Sequence, residues 1–117
     1  MALRVLIVDD SAAFLWWARR LLESDGAAVV GTAATGAQAL VLAAELRPDV
    51  VLLDIQLPDG DGFDVGRHLG RSGVPVVLCS VRAAADFGRR IAESGVIGFL
   101  PKERLSAAEL VRLLRRG

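Results

Sequence analysis

Among its 117 residues the chain has one cysteine, one histidine and no tyrosine, and its 14 basic residues are matched by 14 acidic ones. Each scarcity removes a class of function. A lone Cys79 cannot form an intramolecular disulfide and, with no basic and apolar leader pattern at the start, predicts a cytoplasmic protein. The single histidine, His68, sits inside a helical pattern and reads as a surface residue, leaving no ligand set for a histidine-based metallohydrolase. A net charge of zero gives no general attraction to nucleic acid or to an anionic membrane. No apolar run reaches the about 18 residues that a membrane helix needs.

What is abundant is burial material. At 53% hydrophobic, the chain can cover both faces of a sheet, and its length predicts one domain spanning residues 1–117. Short β-rich runs at 3–8, 28–33, 50–53, 74–79 and 96–100 alternate with helical patterns at 12–24, 37–46, 63–71, 86–94 and 106–116. The runs lack polar alternation, which predicts a parallel sheet covered on both faces by helices. Gly26, Gly73, Gly95 and Gly117 stand just past four of the helices, where a left-handed cap is expected, and Pro48 ends the second.

In such sheets chemistry gathers at the carboxyl ends of the strands. Here the first strand runs into Asp9 and Asp10, the third into Asp54, the fourth into Ser80, and Lys102 follows the fifth. Ready-made motifs fail. The first turn, DDSAAF, is not the glycine fingerprint of a dinucleotide fold, and no phosphate-binding loop motif occurs. DGDGFDV begins with the spacing of a calcium loop but places Phe63 at the third ligand position, so it reads as a turn entering a helix.

Singly, these residues have plain explanations: Asp10 and Ser11 as helix caps, Asp54 as a turn former, Lys102 as a solvated charge. Together they form a cluster. Close carboxylates at an effective dielectric of about 20 repel by about 4 kcal/mol per pair, so a cation is required. Mg²⁺ suits one or two carboxylates, a backbone carbonyl and water, and commonly also holds phosphate. With the ion and Lys102 neutralising a phosphoryl group, one carboxylate is placed to attack phosphorus and Ser80 to donate a hydrogen bond to the new oxygen.

VDD at 8–10, LLDIQLPDGDG at 52–62, VVLCS at 76–80 and GFLPK at 98–102 make the whole chain resemble the receiver domain of bacterial response regulators. The resemblance implies a flavodoxin-like (βα)5 α/β fold, a doubly wound five-stranded parallel sheet of order 2-1-3-4-5, with no effector domain in this chain. It implies that Asp54 accepts phosphate from a sensor histidine kinase or a histidine phosphotransfer protein, with no turnover of an external substrate. Mg²⁺ would be held by Asp9, Asp10, Asp54 and the carbonyl of Gln56; Ser80 and Phe99 would be the switch pair, and Lys102 the conserved-type lysine. Homodimerisation through the last two βα units is a further implied option, and direct nucleic acid or membrane binding is not implied.

Where the family has a very small residue after the switch position this chain has Val81, which predicts narrower access to Asp54 and slower transfer. Pro101 precedes Lys102 instead of following it, and its peptide bond is expected to be trans. In the first helix, Phe14, Trp17, Ala18, Leu21 and Leu22 form the expected core stripe, Leu15 lies on its border and Trp16 faces outward. Leu15 and Trp16 are therefore the expected docking site for a partner helix. The last helix sets Leu110, Leu113 and Leu114 against Arg112, Arg115 and Arg116. Two rival readings remain at this point: a phosphorylation-independent interaction module of the same fold, and a hydrolase with an aspartyl-phosphate intermediate. The second lacks the expected second aspartate, since Gln56 stands there.

Overall fold

The computed structural model describes residues 2–116. Five strands, β1 (Arg4–Val8), β2 (Ala28–Ala33), β3 (Val50–Asp54), β4 (Val76–Ser80) and β5 (Gly98–Pro101), pair in parallel in the order β2-β1-β3-β4-β5. Helices α1 (Ala12–Ser24), α2 (Gly36–Leu46), α3 (Gly62–Arg71), α4 (Arg90–Glu93) and α5 (Ala107–Arg116) connect or follow them.

Strand pleating sorts the apolar runs onto two faces. Val5, Ile7, Val50, Leu52, Val77 and Cys79 pack with Ala18, Leu22, Leu110 and Leu113, so α1 and α5 cover that face. Leu6, Val8, Val51, Leu53, Val76 and Leu78 pack with Ala39, Ala43, Phe63 and Leu69 of α2 and α3. The interiors of β1, β3 and β4 are thus apolar because both faces of the sheet are covered there. Each fully buried Leu or Val side chain contributes about 1.5–3 kcal/mol to folding.

Local chemistry sets the helix ends. Ser11, Thr35 and Asp61 accept backbone N–H groups of Phe14, Gln38 and Phe63 at 3.2, 3.1 and 2.8 Å, satisfying donors that a helix leaves unpaired. Gly26, Gly73 and Gly95 adopt φ of 92°, 83° and 75°, as expected of left-handed caps, while Gly117 lies outside the described residues. Before Pro48, α2 is closed by Arg47 at φ 48°, and the Arg4 guanidinium donates to the carbonyls of Arg47 and Leu46 at 2.6 and 2.7 Å. The described peptide bonds are all trans, that before Pro101 included.

Beyond shifts of one residue at other element ends, the following details depart from the sequence expectation. Strands β4 and β5 begin two residues later than expected, and β3, β4 and β5 each run one residue further, ending on Asp54, Ser80 and Pro101. The helix expected over 86–94 is instead a 3₁₀ turn at Ala84–Phe87 and a single turn at α4, separated by Gly88 at φ 58°. A two-stranded ribbon, Gln56–Leu57 against Gly60–Asp61, occupies what reads in sequence as a plain turn. Trp17 is 43% exposed, not part of the core: Ala18 and Leu22 hold the centre of the α1 stripe, and the Trp17 ring lies on its flank against Phe14, centroids 5.8 Å apart.

Candidate functional site

The sheet register brings the strand ends to one level. Val8 of β1 pairs with Leu53 of β3, Asp54 with Cys79 of β4, and Ser80 with Pro101 of β5, so the residues that follow each strand share one rim. At that rim one carboxylate oxygen from each of Asp9, Asp10 and Asp54 lies within 4.8 Å of the others. These three expected ligands are brought together.

Asp9 is 1% exposed and held from both sides. Its Oδ1 accepts the Ser11 N–H at 2.8 Å, and its Oδ2 lies 2.6 Å from Lys102 Nζ, itself largely buried. Ser11, the α1 cap, therefore also orients this acid. Asp10 is exposed at the mouth. Burial, followed by the neighbouring Asp9 charge, pushes the Asp54 carboxyl up to about 6, against the opposing pull of Lys102 and of the Gln56 N–H that it accepts. The same burial pushes the Cys79 thiol up to about 12, which makes it an inert core group.

Hard oxygen donors crowded within reach of one ion, with one acid part-exposed and one short of counter-charge, fit Mg²⁺ better than any softer metal. Lys102 alone cannot neutralise three carboxylates.

Ser80 is buried beside this cluster, and its hydroxyl oxygen accepts the Arg82 N–H at 3.1 Å, leaving its own proton free to donate. Phe99 is half-buried on the α2/α3 face of the core, with its ring 5.9 Å from Phe87. Val81 is 83% exposed, projecting into solvent. Leu15 is half-buried, Trp16 is 63% exposed with the Arg20 guanidinium 4.9 Å from its ring centroid, and His68 is exposed as expected.

Two contacts had no sequence signal. The Lys102 ammonium sits 4.2 Å from the Phe14 ring centroid. Asp59, in the ribbon turn, accepts the N–H groups of Gly36 and Ala37 at 2.8 and 3.0 Å, and these two donors hold its carboxyl below the usual range. Residues that meet across such sequence separations share no local pattern.

Comparison with known proteins gives the family and the fold. The family described as Response regulator receiver domain matches residues 5–115. A protein-glutamate methylesterase/protein-glutamine glutaminase of Anaeromyxobacter dehalogenans is 44% identical over 112 residues, covering 94% of this chain and 32% of that protein. Response regulator GacA of Pseudomonas viridiflava is 37% identical over 116 residues, covering 97% of this chain and 54% of that protein. The chain thus spans about a third to a half of the length of these relatives. The signal receiver domain of the putative response regulator NarL from Mycobacterium tuberculosis superposes with a TM-score of 0.88 at 29% identity, over 97% of each chain. With its acids converging at the strand ends and a match running nearly end to end, the chain belongs to the response regulator receiver domain family.

Proposed function

We propose that the chain acts as one receiver unit whose Asp54 accepts a phosphoryl group from the phosphohistidine of a sensor histidine kinase or phosphotransfer protein. The observation that carries this is the convergence of Asp9, Asp10 and Asp54 around a half-buried carboxyl with Lys102 alongside. An Asp54 oxygen attacks phosphorus, the bond from phosphorus to the donor's leaving group breaks, and the leaving group departs with the electron pair. Asp9, Asp10, Asp54 and the carbonyl of Gln56 would hold Mg²⁺, which when bound supplies charge neutralisation for the phosphoryl oxygens. Lys102 supplies the second positive charge.

The Ser80 hydroxyl, already free to donate, turns toward the new phosphoryl oxygen, and Phe99 moves into the space it leaves. A charge-assisted hydrogen bond of this kind contributes about twice a neutral one. The surface of the last two βα units carries the change to an output or to a second copy of the chain. Turnover of an external substrate is not part of this reading. The phosphorylation-independent reading gains from Val81 but is not favoured, since the acidic set is complete and Val81 is exposed to solvent.

Incubation with Mg²⁺ and acetyl phosphate adds one phosphoryl group to the intact chain, read by mass spectrometry; chelation or Asp54→Asn removes the gain. No gain, or a gain that survives Asp54→Asn, refutes the assignment.

Leu15 and Trp16 are carried on α1, the helix that follows Asp9 and Asp10 in the chain, and an exposed tryptophan there suits a partner helix. Trp16→Ala slows transfer from the cognate donor about tenfold, in line with an interface anchor, while labelling by acetyl phosphate keeps its wild-type rate. Equal slowing with both donors would assign Trp16 to the pocket instead.

A further inference from the structure

We infer that Phe14 is a positioning residue for Lys102, its ring face holding the ammonium at the mouth of the acid pocket; this deepens, and rests on, the reading of Asp54 as phosphoacceptor. Lys102 leaves β5 on a 3₁₀ turn, and its side chain reaches back to two partners from the start of the chain: Asp9 Oδ2 at 2.6 Å and the Phe14 ring centroid at 4.2 Å. The lysine is 17% exposed, so water supplies little of its solvation and these contacts set where the charge rests.

The two partners differ in kind. Asp9 belongs to the acid cluster, and its charge is shared with whatever the cluster binds. The ring is indifferent to that occupancy. A cation near an aromatic face is attracted by the ring quadrupole within about 6 Å of the centroid, and this attraction survives when the carboxylate is engaged elsewhere. Phe14 is itself held: it is half-buried in the first turns of α1, its N–H donates to Ser11, and the Trp17 ring packs against it at a tilt, centroids 5.8 Å apart. The capped first turn of α1 thus aims both Asp9, through the Ser11 N–H, and Lys102, through Phe14.

Acetyl phosphate is the probe, since it requires no docking to α1. Phe14→Leu keeps an apolar filler but removes the quadrupole, and initial phosphorylation falls about tenfold. Phe14→Trp, the stronger cation partner, stays within about twofold of wild type. A series of progressively fluorinated phenylalanines at position 14 keeps the ring's shape while weakening its negative face, and the rate falls step by step with unchanged melting temperature. A purely structural ring would leave that series flat, which overturns the inference.

A second readout needs no phosphorylation. In the free protein the ε-methylene protons of Lys102 are shifted upfield by the Phe14 ring current, and the shift is lost in Phe14→Leu. Its absence in the wild type overturns the inference on its own. Wild-type chain that shows the upfield shift but takes up no phosphoryl group instead overturns the assignment of Asp54, and with it the role given to this contact.

Discussion

Gly62→Ala lowers folding stability by about 3 kcal/mol, the upper end of the usual cost of overpacking, and impairs phosphoryl uptake at the same time. A methyl group on Gly62 would stand 2.4 Å from the carbonyl oxygen of Asp54 and 2.7 Å from both the Cα and the carbonyl oxygen of Ile55. All three atoms are backbone, so no rotamer change relieves the clash. The Gly62 N–H also donates to the Ile55 carbonyl at 2.7 Å, which pins the start of α3 against the end of β3. Relief therefore comes only by displacing the segment that presents Asp54. Gly70→Ala on the same helix is the control: its nearest neighbour is 3.4 Å away, and helix propensity favours alanine by up to about 1 kcal/mol, so its stability changes little. Denaturant titration of both variants, with acetyl phosphate labelling of each, reads the contrast. Equal stabilities would show that the β3–α3 junction yields easily.

Asp54→Asn abolishes labelling and yet makes the metal-free protein more stable at neutral pH. The folded carboxyl is raised from 3.8 to about 6, chiefly by burial and then by Asp9, so the unfolded chain ionises first as pH rises. Below pH 3.8 both states are protonated and Asp54 costs nothing. Between 3.8 and about 6 the folded state loses ground, and above that the loss is constant. At full weight this difference corresponds to about 3 kcal/mol; because the carboxyl is only half-buried, screening by water reduces it to about 1 kcal/mol. The amide variant escapes this loss, so its advantage grows from nothing near pH 3.5 to its full size by pH 7, as read by urea unfolding in chelator. Adding Mg²⁺ then stabilises the wild type more than the variant, by ligand linkage. A variant no more stable than wild type at pH 7 would mean that Asp54 bears no electrostatic strain.

The periodic parts of the chain were legible. A β-rich run bounded by glycine marks β2, and an apolar stripe at helical spacing marks α1, each to the residue, and the series Asp9, Asp10, Asp54, Ser80 and Lys102 follows from asking what ends each strand. The region after β4 misled because Phe87 and Ile91 repeat at helical spacing, while Gly88 between them takes a conformation that interrupts the helix. The ribbon at Gln56–Asp61 has two residues per strand, too few to show a period. Trp17 stands one residue from the buried Ala18, and no wheel reveals that a ring of its size is left on the flank. Contacts such as Phe14 with Lys102 depend on the finished fold, because the partners are drawn from opposite ends of the chain.

The carboxylate of Asp59 has one further effect. By gripping the first two amides of α2, it bolts the loop on one side of Asp54 to a neighbouring helix, whereas the opposite side, from Val81 to Gly88, carries only a short 3₁₀ turn and almost wholly exposed side chains. A push delivered at Asp54 meets a clamped wall and a loose one. On the proposed reading, a displacement at Asp54 would be taken up on the less constrained side, which carries Ser80 and Phe87.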